Sequence, residues 1–217
     1  MVGLLTLDSR GIIAAFVLGI LIFLLGGAYG PFFILVILTF LVISALVTLA
    51  GRRKKIAMAS YREMRGWRNV AANGMVPLLA AIAYAVGSTG SYAHVFVVVY
   101  VASVAAAAAD KFGSELGVLD GQPVSIVTFR KAKRGSSGAV SAFGLLMSLA
   151  ASVIIALFVF LIGLGFYDFA VVVVAGFVGS VVDSLFGHFE EKGIGDKYTT
   201  NVMCAAAAFI VAFFMLI

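Results

Sequence analysis

The sequence predicts an all-α fold, a polytopic integral membrane bundle of about seven transmembrane helices. The composition indicates a membrane protein, because 63% of the 217 residues are hydrophobic and only 12% are charged, which leaves too little polar surface for a soluble globule. The apolar runs indicate helices, because they extend over about 17–25 residues, whereas the strands of a membrane barrel would alternate over about ten. The positive charges, which fall in alternate connections, give the orientation of the bundle.

Seven apolar runs follow one another along the chain, separated by short turns or polar connections. The first run has neither a strongly basic leader nor a convincing small-residue cleavage site, so we interpret it as a span rather than a secretory signal. We expect a single transmembrane domain over residues 1–217. The predicted spans are residues 11–27, 29–50, 70–87, 92–109, 139–163, 166–187 and 200–217.

The basic residues are confined to one side of this arrangement. All fifteen Lys and Arg residues lie in the N-terminal segment or in the connections 51–69, 110–138 and 188–199, and none lies in the turns on the other side. Cytoplasmic loops of membrane proteins are enriched in Lys and Arg. The sequence therefore predicts a cytoplasmic N-terminus, three cytoplasmic connections and an external C-terminus.

Acidic residues gather at the same rim, which the distribution of basic residues does not explain. Of the ten Asp and Glu residues, Asp168 alone lies on the opposite side. Asp183 falls about one turn inside the sixth span, where an unpaired carboxylate costs up to about 2.5–3.5 kcal/mol. A basic partner is one solution, whereas a divalent cation would also explain the approach of Asp110 and Glu115. Glu115 would join this site only if its helix ended near Gly113.

A basic turn rich in glycine and serine is predicted to open the fifth span. Free backbone N–H groups and the positive end of a helix make such a turn a suitable anion cradle. An ordinary helix cap beside charges that set the topology is the alternative. Residues 123–129, before the turn, have the β-branched character of an extended or hairpin segment. The turn and the bases before it are Arg130, Lys131, Lys133, Arg134, Gly135, Ser136, Ser137 and Gly138.

Further polar side chains are predicted at the depth of Asp183. Asn73 and Asn201 lie near the same rim on the third and seventh spans, and Ser184 belongs to a stripe of small residues on the sixth. Each could serve only to pack helices together. Their coincidence at one depth favours a shared pocket.

The remaining polar residues are interpreted as lying outside the chemistry. His94 and His188 are isolated, and residues 192–197 have the composition of a solvated loop, from which Asp196 could reach the pocket. Cys204 is the one cysteine, so it forms no intramolecular disulfide and is expected to be a small packing residue.

Five short motifs follow one another along the second, larger part of the chain. They are AANG (71–74), AADKFGSELG (108–117), GSSGAVS (135–141), GSVVDSLFG (179–187) and the Asn-containing opening of the last span. Their order resembles the uncharacterised transmembrane protein family that includes the plant phytyl-phosphate kinase of vitamin E biosynthesis. The resemblance covers roughly residues 60–217. Two positions depart from the family pattern, because Lys111 follows Asp110 and Ala139 replaces a glycine.

The resemblance implies a kinase that transfers the γ-phosphate of CTP to an isoprenyl monophosphate, of phytyl or geranylgeranyl type. It implies Mg²⁺ as cofactor, with Asp110, Asp183 and Glu115 as its ligands, and CTP as co-substrate. The other implied catalytic residues are Lys131 and Arg134. The implied nucleotide- and phosphate-binding residues are Asn73, Lys133, Gly135, Ser136, Ser137, Gly138, Ser184 and Asn201.

Two other functions remain open at the level of sequence. A CTP-dependent cytidylyltransferase that makes a CDP-activated lipid would handle the same ligands. A transporter would favour polar residues through the membrane midplane and on both rims. We expect lipids and a nucleoside triphosphate as partners, with no nucleic acid, and a homo-oligomer stays open. The compact chain without a transit segment favours a prokaryotic plasma membrane, with the active site facing the cytoplasm.

Overall fold

The computed structural model describes residues 7–57, 66–90, 92–119 and 122–217. Its long helices coincide with the seven predicted spans. Within the described residues, six helical segments are long and apolar enough to cross a membrane, and a seventh apolar helix, the first, has 17 residues. The helices are α1 (Ser9–Leu25), α2 (Gly30–Leu49), the short α3 (Arg52–Ala57), α4 (Trp67–Gly87), α5 (Ala93–Gly117), α6 (Ala142–Ala156), α7 (Phe166–Glu190) and α8 (Lys197–Leu216).

Helix α5 is the centre of the bundle. Every residue from Val97 to Ala109 is buried, and the helix packs against α2, α4, α6, α7 and α8. Valine and alanine dominate this stretch, and small side chains let neighbouring helices approach closely. Tyr100, the largest side chain in it, stacks on Phe33 of α2 with ring centroids 4.0 Å apart and donates a hydrogen bond to the Phe33 carbonyl at 2.8 Å. These contacts fix α5 between its neighbours.

The C-terminal half of α5 meets α6 through glycines. A Cβ atom on Gly117 would lie 3.1 Å from the Cα of Gly144, and one on Gly144 would lie 3.0 Å from the carbonyl oxygen of Gly113. Gly113 and Gly117 are four residues apart on one face of α5, a spacing typical of close contact between helices. Any larger side chain at these positions would force the two helices apart.

The predicted connection 110–138 is partly helical, since α5 continues to Gly117. Beyond it, strand β1 (Val124–Ser125) pairs antiparallel with β2 (Ala139–Val140), in the register Val124 to Val140 and Ser125 to Ala139. The extended character predicted for residues 123–129 is therefore present at 124–125. Residues 120–121, and residues 58–65 of the basic connection 51–69, lie outside the described residues.

The glycine-serine turn is not a helix N-terminus, contrary to the expectation from sequence. Helix α6 begins at Ala142, where the side chain of Ser141 caps it by accepting a 3.0 Å hydrogen bond from the Gly144 N–H. Strand β2 lies between the turn and the helix. The two-stranded pairing of β1 and β2 extends to the end of the turn, where the Gly138 carbonyl accepts a hydrogen bond from the Ile126 N–H. The turn lies beside the C-terminal end of α7 instead of at the start of α6.

Asp168, the acid on the far rim, has a local structural role. Its Oδ2 accepts a 3.1 Å hydrogen bond from the Gly165 N–H at the start of α7, and its Oδ1 lies 2.7 Å from Nε2 of His94 on α5. An acid at a helix N-terminus is favoured by the helix dipole. His94 therefore has a partner, and the pair joins α5 to α7 at the end of the bundle opposite the acidic rim.

Candidate active site

A cavity of about 470 Å³ lies at the basic end of the bundle. Its wall combines residues from the ends of α5 and α7, the beginnings of α4, α6 and α8, and the turn at residues 135–138. The cavity also reaches Ala107 in the interior of the bundle. Ala107 lies about 15 Å along the helix axis from the end of α5, since an α-helix rises about 1.5 Å per residue. Phe40 of α2 and Leu145 of α6 line it too. The cavity thus joins a polar rim to the apolar interior.

Two carboxylates from different helices meet one ammonium group in this cavity. Asp183 of α7 lies 2.8 Å from Nζ of Lys197, and Asp110 of α5 lies 3.6 Å from the same atom. The Asp183 and Asp110 side chains are only 7% and 14% exposed. The predicted convergence of the two acids is therefore what the structure contains.

Two buried oxygens beside this group lack a hydrogen-bond partner among the described residues, namely Oδ1 of Asp183 and Oδ1 of Asn201. A buried acceptor without a donor costs about 1–3 kcal/mol. Both residues line the cavity. Unsatisfied oxygens around a carboxylate pair are suited to a cation or to a ligand that donates hydrogen bonds.

These oxygens fit the way proteins bind Mg²⁺. Mg²⁺ is usually held by one or two carboxylates together with waters and substrate phosphates, not by a cage built wholly from protein. Asp110 and Asp183 supply the two carboxylates. Within the described part of the chain no group of three or more His, Cys, Asp or Glu residues could hold a metal alone. The donor set therefore matches a metal shared with a phosphate ligand.

Glu115 is not brought to this carboxylate pair. Because α5 continues to Gly117, the condition under which Glu115 would face Asp110 is not met, and its side chain turns toward α2 and α3. There Oε2 accepts a 2.8 Å hydrogen bond from Lys55, and Oε1 contacts Lys111 and Thr48. The structure gives Glu115 the surroundings of a counter-ion for basic side chains.

Lys55 itself is a buried cation whose hydrogen bonds are satisfied by protein. Its side chain is 0% exposed, and Nζ donates to the carbonyls of Val47 and Thr48 as well as to Glu115. Those two carbonyls belong to the last turn of α2, where the helix dipole favours a positive charge. Lys55 and Glu115 thus tie α3 and α2 to the end of α5.

Most of the remaining predicted residues line the same cavity. Asn73 donates a 2.8 Å hydrogen bond from Nδ2 to the Asn69 carbonyl, and Ser184 donates one of 3.2 Å to the Ser180 carbonyl. Gly138 has a φ of 75° and packs so closely on α7 that a Cβ there would lie 2.6 Å from the His188 nitrogen. The predicted binding residues on the cavity wall are Asn73, Gly135, Ser136, Ser137, Gly138, Ser184 and Asn201.

The predicted basic residues lie apart from the carboxylate pair. Lys131 and Arg134 line a second, smaller cavity of about 230 Å³, and Lys133 lines neither cavity. All three are exposed. The pairing of Val124 with Lys131 holds this segment on the outer side of the ribbon. Their predicted direct contact with the reacting phosphate therefore has no support in the geometry.

Lys197 is the site residue that sequence reasoning missed, because it was assigned to the solvated loop 192–197. Asp196 ends that loop as the N-cap of α8 and accepts hydrogen bonds of 2.9 Å from both the N–H and the hydroxyl of Thr199. These bonds, with a contribution from Arg68, hold the pKa of the half-exposed Asp196 below its ordinary value. The cap makes Lys197 the first residue of α8. An Asp-Lys pair before an apolar run was the available signal.

The comparisons place the chain among known membrane proteins. It is 33% identical over 211 residues to "Uncharacterized membrane protein MJ0933" of Methanocaldococcus jannaschii, covering 94% of this chain and 84% of the relative. It is 30% identical over 207 residues to "Protein PGR" of Arabidopsis thaliana, covering 84% of this chain and 71% of the relative. No solved structure gives a significant match. The family model described as "Integral membrane protein DUF92" matches residues 2–208. The chain therefore belongs to the DUF92 family of integral membrane proteins.

Proposed function

We propose that this protein is a membrane kinase that transfers the γ-phosphate of CTP to an isoprenyl monophosphate of phytyl or geranylgeranyl type. One observation carries the proposal: Asp110 and Asp183, from separate helices, meet in a polar cavity that continues into an apolar bundle. A cavity with these two ends suits a reaction between a water-soluble nucleotide and a lipid whose head is a phosphate.

The lipid substrate fits the depth of the cavity. Phe40, Ala107 and Leu145 supply apolar surface on its wall, where the prenyl chain would lie with its phosphate directed toward the acidic rim. Each buried CH₂ group contributes about 0.8 kcal/mol, so the tail stays in the membrane while the head reacts. A site at the interface therefore spares the enzyme the extraction of its substrate from the bilayer.

The chemistry needs positioning more than a catalytic base. A lipid monophosphate is already a nucleophile at neutral pH; one of its oxygens bonds to the γ-phosphorus while the bond to the β-phosphate oxygen breaks, and CDP leaves. Catalysis of such a transfer rests on alignment and on neutralising charge. Mg²⁺ bound by Asp110 and Asp183 would supply that neutralisation. Among the described residues on the cavity wall there is no histidine or cysteine, which fits a reaction without a catalytic base.

Other residues of the cavity wall would orient the ligands. The side-chain amides of Asn73 and Asn201 would donate hydrogen bonds to phosphate oxygens or to the base, and the turn at residues 135–138 would present backbone N–H groups. The exposed Lys131, Lys133 and Arg134 would act at longer range, by raising the local concentration of an anionic nucleotide. We assign the site to the cytoplasmic face of a prokaryotic plasma membrane, since the basic residues gather at this end.

The test is an assay of purified protein in nanodiscs with phytyl and geranylgeranyl monophosphates, Mg²⁺ and each nucleoside triphosphate. We expect label from the γ-position of CTP to appear in a lipid diphosphate on thin-layer chromatography. Label from the α-position in the lipid would instead identify a cytidylyltransferase. Substrate flux into proteoliposomes without nucleotide would identify a transporter, and transfer of neither label would refute the proposal.

A further inference from the structure

The ammonium of Lys197 lies where a cation shared by the two site carboxylates would lie. Its Nζ is 2.8 Å from Oδ2 of Asp183 and 3.6 Å from Oδ1 of Asp110. The three side chains come from the start of α8, the end of α7 and the end of α5. A side-chain cation therefore lies where a divalent cation would bind, and because two positive charges at so short a separation repel each other, the two would compete for these carboxylates.

Comparison with Lys55 shows that Lys197 is not held as a permanent structural cation. Lys55 is 0% exposed and donates to two helix carbonyls and a carboxylate. Lys197 is 34% exposed, and among the described residues its single hydrogen bond from Nζ goes to Asp183. Lys197 lines the cavity, so the space beside its ammonium is open to a ligand.

Asp183 also keeps one oxygen open beside Lys197, because its Oδ1 has no hydrogen-bond partner among the described residues. A divalent cation could bind this oxygen together with the carboxylate oxygens that the Lys197 ammonium contacts. Binding of that cation would release the ammonium, whose flexible four-carbon stem lets it turn toward an anion nearby.

We propose that Lys197 is an exchangeable counter-ion: it holds Asp110 and Asp183 together before ligands bind, gives them up to a divalent cation, and then donates to a phosphate of the bound substrate. The inference rests on the proposed function for the identity of that phosphate. The exchange explains why a basic side chain and a cation site share the same two carboxylates. It also assigns a role to a residue placed at the water-facing start of α8.

The first measurement uses Mn²⁺ alone, followed by electron paramagnetic resonance in detergent without nucleotide. Lys197→Met removes the competing ammonium, and we expect Mn²⁺ to bind about tenfold or more tightly than in the wild type. Lys192→Met, which removes a charge from the exposed loop before α8, is the matched control and should leave Mn²⁺ affinity unchanged. Equal or weaker Mn²⁺ binding by folded Lys197→Met overturns the exchange.

The second measurement is CTP affinity at saturating Mn²⁺, by equilibrium dialysis. Lys197→Met should bind CTP about tenfold or more weakly, because a charge-assisted contact with phosphate is lost. Unchanged CTP affinity overturns the phosphate contact. A residue with a purely structural role would not shift the two affinities in opposite directions.

Controls separate this inference from the proposed function. Folding is checked by size-exclusion chromatography, and if Lys197→Met does not fold, Lys197→Gln is judged by the same criteria. If Lys197→Met shifts the Mn²⁺ and CTP affinities in opposite directions but the wild type transfers phosphate to no lipid, the kinase proposal is refuted and the exchange is supported. If the wild type transfers phosphate but Lys197→Met leaves Mn²⁺ affinity unchanged, the kinase proposal is supported and the exchange is refuted.

Discussion

Asp168 and Asp183 are the two buried carboxylates of α7, and they are satisfied in different ways at its opposite ends. Asp168 uses both oxygens, one with the Gly165 N–H at 3.1 Å and one with His94 at 2.7 Å. Asp183 uses one oxygen with Lys197 and keeps the other without a partner among the described residues. Both carboxylate oxygens of Asp168 therefore have a partner, whereas only one oxygen of Asp183 has one among the described residues.

This contrast gives a matched pair of variants. Asp183→Asn should lower phosphoryl transfer by about a hundredfold or more, because an amide neither balances a divalent cation nor pairs with Lys197. Asp168→Asn should stay within about twofold of the wild-type rate but unfold at a lower temperature, because its role is structural. Rates are measured with radiolabelled CTP, and folding by size-exclusion chromatography. Substantial activity in folded Asp183→Asn would remove the metal role from this residue.

Glu115→Gln should destabilise the protein without weakening Mn²⁺ binding. Removing the carboxylate leaves the buried Lys55 without its counter-ion, and breaking such a pair costs about 3–5 kcal/mol in the free energy of unfolding. Denaturant or thermal unfolding in detergent measures the change, with the exposed Glu191→Gln as control. If Glu115→Gln lost Mn²⁺ affinity but kept its normal stability, Glu115 would be a metal ligand and not a structural counter-ion.

Gly138→Ala should raise the KM for CTP by about tenfold, because the new Cβ would lie 2.6 Å from the His188 nitrogen and 2.8 Å from the Ser184 carbonyl oxygen. The turn at residues 135–138 would then have to move away from α7. Gly193→Ala is the control, since Gly193 also has a positive φ, 82°, but a Cβ there meets nothing within 4 Å. Both variants pay the same backbone strain of about 1–2 kcal/mol. Equal KM values in the two would show that the turn does not touch the nucleotide.

The cap of α8 should make stability fall in acid. Hydrogen bonds from Thr199 hold the pKa of Asp196 below its ordinary value of 3.8, so the ionised carboxylate stabilises the folded state. That contribution is complete above 3.8 and is lost as the pH falls through the lower folded pKa. Asp196→Asn should differ from the wild type in unfolding temperature at about pH 6, and that difference should shrink as the pH falls below 3.8 toward the lower folded pKa. A difference independent of pH would mean that ionisation of Asp196 does not contribute.

The helices could be predicted from sequence because their signal is local. A span needs about twenty apolar residues in a row, and each of the seven runs supplies most of them within its own segment. The close contact of Gly113 and Gly117 with α6 was predictable for the same reason, since four-residue spacing places both on one face. Convergence of Asp110 and Asp183 followed from their common depth.

The features that the sequence did not predict depend on contacts between residues that are distant in sequence. Lys197 was read as part of a solvated loop, because its neighbours are polar and its two carboxylates lie on other helices. The sequence predicts a helix start at residues 135–138, because β2 has only two residues and leaves no pattern between the turn and α6. The pair of His94 with Asp168 was missed for the same reason, since the two residues come from different helices.

The burial of α5 has a consequence for how the cavity could respond to a ligand. Five helices enclose the stretch from Val97 to Ala109, so Asp110, which follows it directly, cannot shift unless several interfaces open together. Gly135 in the turn at residues 135–138 is exposed, and Lys197 at the start of α8 is partly exposed. Adjustment to a bound nucleotide would therefore come from this exposed wall, whereas the wall formed by α5 would stay rigid and would restrict the shape of a bound lipid.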